Sequence, residues 1–154
     1  MLLSLRKTAS RFAVAAAAAT ALLAGGSGTA LAADAHFVPE ATAAGWDGRV
    51  ATVSFQEADV APDADATTIS VKVTVDVKVL CTRGQSTLDI RKSATVLEVA
   101  EYPIDADGTV AGTAELPLEV PGLQVPGYVC VKRHLSITAA LEDFRTGATL
   151  VHQA

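Results

Sequence analysis

Ile69-Ser70-Val71-Lys72-Val73-Thr74-Val75-Asp76-Val77-Lys78-Val79-Leu80-Cys81 is the stretch on which the fold turns. Its odd positions carry aliphatic side chains and Cys81, while Ser70, Lys72, Thr74, Asp76 and Lys78 hold the even ones. A strand sends successive side chains to opposite faces, so this pattern gives one dry and one wet face; a helix would scatter the valines around its circumference. Burying Ile69 and the five valines contributes about 1.5 kcal/mol or more apiece, as an upper figure. Thirteen extended residues reach about 43 Å, long for a small domain. A bulge, a bend or a protruding end is therefore expected.

Outward from this run, alternation continues. Val110, Gly112, Ala114, Leu116, Leu118 and Val120 share one parity, with Thr113, Glu115 and Glu119 opposite. Pro117 cannot donate a ladder hydrogen bond, which places its strand at a sheet edge or gives it a bulge. Further strands are expected over residues 50–56, 86–92, 94–102, 128–141 and 148–152, making seven. Turn residues separate them: Trp46-Asp47-Gly48, the Asp/Ala/Pro segment at 59–66, Arg83-Gly84, residues 105–108 and Arg145-Thr146-Gly147. These features predict an all-β, two-layer antiparallel sandwich of immunoglobulin-like type, with a small barrel as the second choice.

The cysteines, Cys81 and Cys130, lie 49 residues apart. In an exported chain an even count predicts a disulfide; the separation lacks the close spacing of a metal or redox pair. Cys81 has the parity of the buried valines. Cys130 opposes the parity of Val129, Val131, Leu135 and Ile137, so either a bulge follows Cys130 or the bridge sits at the end of the sandwich. Trp46 precedes the first expected strand, so no tryptophan is expected on a central bridge.

Export is read from the first 32 residues. Arg6, Lys7 and Arg11 precede an apolar stretch over residues 12–24, and Ala30-Leu31-Ala32 supplies a small-x-small cleavage signature, together a secretory signal peptide. The stretch is too short for a bilayer span, which needs roughly 20 residues. Residues 33–48 are expected to form an N-terminal extension and residues 49–154 the sandwich domain. The leader carries three of the 12 Lys and Arg and none of the 17 Asp and Glu, leaving nine cations and a net charge of −8. That balance argues against nucleic acid and anionic membrane surfaces as partners.

The Ala-rich leader, the run Val-Thr-Val-Asp-Val-Lys-Val-Leu-Cys-Thr ending at Thr82, and a late cysteine opening a strand before a closing Thr146-Gly147 hairpin give the chain its wider likeness. It resembles the small exported sandwich proteins of high-GC Gram-positive bacteria, most of them uncharacterised. The resemblance implies a fold and a secreted, extracellular location, and carries over no functional residue.

Candidate chemistry is sparse, and no cofactor motif is found. Asp105-Ala106-Asp107-Gly108 has the opening letters of a calcium loop, but Leu116 stands where the twelfth-position Glu belongs, so Asp105 and Asp107 read as a hairpin turn with calcium as the weaker alternative. Asp63 and Asp65 read as a solvated loop. His36, His134 and His152 are far apart in sequence. Cys130 and His134 would sit about 13 Å apart along a strand, too far to share a metal. The pentad Val120-Pro121-Gly122-Leu123-Gln124 is echoed by Val125-Pro126-Gly127-Tyr128-Val129. Pro then Gly suits a type II turn, so this segment is expected to be a stiffened loop presenting Pro121, Leu123, Gln124 and Tyr128, either as a mere connection or as a recognition loop.

The favoured expectation is a non-catalytic extracellular binding or envelope-associated module, engaging an extracellular protein or a cell-wall component. The alternatives are a secreted protease inhibitor that uses the 120–128 loop, and an extracellular hydrolase built around His134.

Overall fold

The computed structural model describes residues 34–154. The expected leader lies outside them. Among the described residues no helix is long and apolar enough to cross a membrane. Eight strands run in the order β1 (His36–Phe37), β2 (Ala43–Trp46), β3 (Val50–Ala58), β4 (Ala66–Arg83), β5 (Ser86–Pro103), β6 (Val110–Pro117), β7 (Val129–Asp143) and β8 (Thr149–Gln153), with one 3-10 turn at Pro39–Ala41. They form two antiparallel sheets packed face to face, the all-β sandwich with one disulfide that the alternation predicts. In sheet A, β3 is flanked by β6 on one side and by β1 and β2 in succession on the other. Sheet B has the order β5-β4-β7-β8.

The core follows the parity of the central run. Ile69, Val71, Val73, Val75, Val77, Val79 and Cys81 are all buried, in one core with Ala51, Val53 and Phe55 of β3 and Val110, Ala114 and Leu116 of β6. β6 pairs only with β3, so Pro117 does end an edge strand, where its missing N–H leaves no central ladder incomplete.

Of the expected N-terminal extension, residues 36–37 and 43–46 are strands of sheet A. Ala43–Trp46 pairs with residues 51–54, His36–Phe37 pairs with residues 57–58, and Phe37 is 3% exposed with its ring edge-on to Phe55. Short strands rich in Ala and Gly carry almost no alternation, which is why the pattern passes over them. The strands expected at 86–92 and 94–102 are one, β5, in continuous register with β4 from Ser86 to Pro103.

Gly112 fits under two aromatic rings. Phe55 and Tyr102 meet edge to face at 5.0 Å, and a Cβ on Gly112 would come within 2.6 Å of both rings. Gly112→Ala is expected to lower unfolding free energy by about 1–3 kcal/mol, since the rings must leave their rotamers to admit a methyl. Urea denaturation measures it; a change below about 0.5 kcal/mol would show that the rings can yield.

One polar node ties the sheets together at the end where β3 finishes and β6 begins. Asp143, on the buried parity of β7, accepts hydrogen bonds from Thr67 Oγ1 and from the backbone N–H groups of Arg145 and Thr146. Glu57, on the buried parity of β3, accepts one from Thr146 Oγ1 at 2.8 Å and lies beside the Asp143 carboxylate, while its Oε2 has no hydrogen-bond partner among the described residues. Both carboxyl side chains are fully buried. Arg145 pairs with Asp63 and donates to the Ala61 carbonyl, so the turn after β7 is also fastened to the 59–66 loop.

Sheet B outreaches sheet A. β4 and β5 have 18 residues each and β3 has nine, so residues 76–94 and 129–136 form a three-stranded arm with no strand of sheet A beneath it. The protruding end expected from the length of the central run is present.

Candidate functional site

The arm has a covered and an open side, and the chain itself supplies the cover. After β6, residues 118–128 run along the inner side: Gly122 lies beside Lys92, Gly127 beside Arg83, and Leu118 and Val120 are buried. Leu123, Val125 and Tyr128 pack against the core. The second Pro-Gly pair makes a hydrogen-bonded turn, Tyr128 N–H to the Val125 carbonyl at 3.0 Å, with Gly127 at φ +79° as a type II turn needs. Of the four residues expected to be presented by this loop, Pro121 and Gln124 are exposed, whereas Leu123 and Tyr128 turn partly into the interior. Their apolar surface replaces the missing strands of sheet A.

Cys81 and Cys130 form the disulfide, directly opposite each other in β4 and β7. The immunoglobulin pattern bridges its two sheets, whereas this bond joins neighbouring strands of one sheet near the tip of the arm. The parity conflict at Cys130 is resolved by a bulge. Lys78 faces His134 and Val79 faces Lys132, so Arg133 is an extra residue in β7. Beyond it, Cys130 turns inward, and Val129 and Val131 are exposed instead of buried.

The bulge stands at the centre of the arm's open side. Even-numbered residues of β4 face outward there, and Lys78 sits between Arg91 of β5 and His134 of β7. Asp76 occupies the next row, between Ser93 and Ser136. Asp76, Lys78, Arg91, Lys92, Ser93 and His134 line a cavity of about 510 Å³, within the size range of small-molecule sites. Lys78 makes an exposed ion pair with Asp89 at 3.4 Å, a contact of little energetic weight. Six of the nine cations outside the expected leader lie in the arm: Lys78, Arg83, Arg91, Lys92, Lys132 and Arg133. Asp76 and Asp89 are the arm's only carboxylates, so a chain of negative net charge has a cationic end.

Farther along the same outer face the character changes. Leu97, Val99, Phe144 and Val151 are exposed, Leu97 to 59% and Val151 to 64%, and three of them line a groove with Lys72 and Glu142.

The remaining sequence candidates stay dispersed. Asp105 and Asp107 shape the β5–β6 turn: the Asp105 carbonyl accepts from Gly108 N–H, and Asp107 Oδ1 accepts from Thr109 N–H. Gly108, at φ +79°, approaches Val60 so closely that a Cβ would strike its carbonyl. Among the described residues no three His, Cys, Asp or Glu side chains converge as a metal cage. His36 lies near Asp59, at 3.7 Å, and His152 lies in β8, both away from His134. Sequence reasoning missed Lys78 and Arg91, because only the strand register reveals that they are neighbours. No family model, curated protein or solved structure matches the chain.

Proposed function

We propose that the protein is a secreted, non-catalytic binding module that engages an anionic component of the cell wall through the cationic arm. The observation that carries this reading is the segregation of charge. Outside the arm and the expected leader, Arg49, Lys72 and Arg145 are the only cations against fifteen carboxylates. Such a distribution orients an approaching anion toward one end of the molecule and holds it off the other. The fold itself does not call for it, since directly opposed like charges such as Lys78 and Arg91 weaken a ladder. His134 makes no hydrogen bond to a carboxylate or hydroxyl among the described residues, which favours binding over hydrolysis. The disulfide and the covering loop add rigidity, keeping the ordering cost of binding small.

The test is retention of purified protein on isolated cell-wall material over a salt series. Binding is expected at about 0.05 M NaCl and should be largely lost by about 0.5 M, where the screening length falls below the spacing of the arm's charges. Absence of retention at low salt, or retention indifferent to salt, would overturn the reading.

A further inference from the structure

The geometry points to a discrete oxyanion site on the open side of the arm, in which Lys78, Arg91 and His134 hold the phosphate, sulfate or carboxylate of a hydroxylated ligand while Asp76 and Ser93 bind its hydroxyl groups. This inference rests on the proposed binding role and names the chemistry that the arm would select.

Three observations converge. The β4 register places Lys78 directly between Arg91 and His134, so three nitrogen-bearing side chains rise from adjacent strands on one face, with Cβ atoms of directly opposed neighbours about 5 Å apart. An arginine fork and a lysine point charge at that spacing can grip one tetrahedral or planar oxyanion from two sides, with the imidazole as a further donor. The bulge falls at this row, Arg133 being the inserted residue, and a bulge of this kind re-aims side chains at a site while leaving the rest of the ladder intact. Finally, the cavity is not uniformly cationic: Asp76 and Ser93 line it next to the lysine and arginine. A carboxylate beside the cations opposes a densely charged polyanion. It suits instead a ligand with one anionic group flanked by hydroxyls, because the carboxylate can accept their hydrogen bonds. A cavity of about 510 Å³ admits one such sugar-sized unit.

The test uses two-dimensional NMR of the purified protein with three probes: inorganic phosphate, glucose and glucose 6-phosphate. Glucose 6-phosphate is expected to shift the amides of residues 76–78, 91–93 and 133–134 saturably. Phosphate should shift the same amides with about tenfold weaker affinity, and glucose should leave them in place. Arg91→Ala and Lys78→Met should each weaken glucose 6-phosphate binding about tenfold or more at unchanged melting temperature, Lys78→Arg should restore most of it, and Lys72→Ala, outside the cavity, should have no effect. The site is overturned if neither anion gives saturable shifts, if glucose binds as well as its phosphate, if phosphate equals glucose 6-phosphate, or if the two variants bind like the parent. Wall retention without these shifts would remove the oxyanion site and leave the binding role standing. Loss of both removes both.

Discussion

Reduction of the Cys81–Cys130 bridge, or its replacement in a Cys81→Ala/Cys130→Ala variant, is expected to lower the melting temperature by about 10–20 °C. The bond closes a loop of 49 residues, and in the chain-entropy description a loop of that size is worth about 4 kcal/mol at 25 °C. A domain of this size has a net stability of about 5–15 kcal/mol, so the loss is a large share of the whole. The damage should also be local. Cys81 and Cys130 fasten β4 to β7 near the tip of the arm, where residues 118–128 and not sheet A provide the cover. Amide exchange at residues 79–83 and 129–132 should therefore accelerate far more than at residues 69–75, which lie between both sheets. A melting temperature unchanged by reductant, or uniform acceleration across β4, would contradict this account.

The second large effect concerns pH and the Glu57–Asp143 node. Burial, reinforced by the neighbouring Asp143 carboxylate, pushes Glu57 up to about 8 from an ordinary value of 4.5. The folded protein thus holds a proton over that interval which the unfolded chain releases. A proton bound preferentially by the folded state means stability that is complete below about pH 4.5 and is lost as the pH climbs through about 8. The slope contributed by one such group reaches about 1.4 kcal/mol per pH unit. Denaturant midpoints should fall between pH 5 and pH 8. Glu57→Gln keeps the shape, accepts from Thr146 through its carbonyl and donates to Asp143 through its amide, with no titration. The variant should match the parent near pH 5 and exceed its stability by a few kcal/mol at pH 8. Parallel pH profiles for the two proteins would refute the assignment of the proton to Glu57.

Glu57 and Asp143 also show how much was legible in the letters. Each lies on the dry parity of its strand, after Val53 and Phe55 in one case and after Ile137, Ala139 and Leu141 in the other. An acid in a buried column signals a polar contact across the core, but only the packing of β3 over β7 identifies the partner. β4 was readable because it is central: one face lies against sheet A and the covering loop, the other against water, and the alternation is complete. β5 was read as two strands because it is an edge whose faces are largely exposed, so no buried column carries the alternation across Ser93. In β7 the parity conflict at Cys130 signalled an irregularity, but only the register with β4 identifies Arg133 as the inserted residue. The cationic cavity was illegible for a related reason: Lys78, Arg91 and His134 come from three strands, and their adjacency is a property of register. The covering loop was recognised as stiff from its two Pro-Gly pairs, whereas the inward turn of Leu123 and Tyr128 depends on the overhang of sheet B.

That single inserted residue sets the phase of everything beyond it. Were position 133 deleted, each side chain from 129 to 132 would exchange sides of the ribbon, and the sulfur of Cys130 would be carried away from that of Cys81 to the solvent face. Covalent closure of the arm and the outward display of Val129 and Val131 are therefore two outcomes of one frameshift in the ladder, and neither can be altered by insertion or deletion in β7 without disturbing the other.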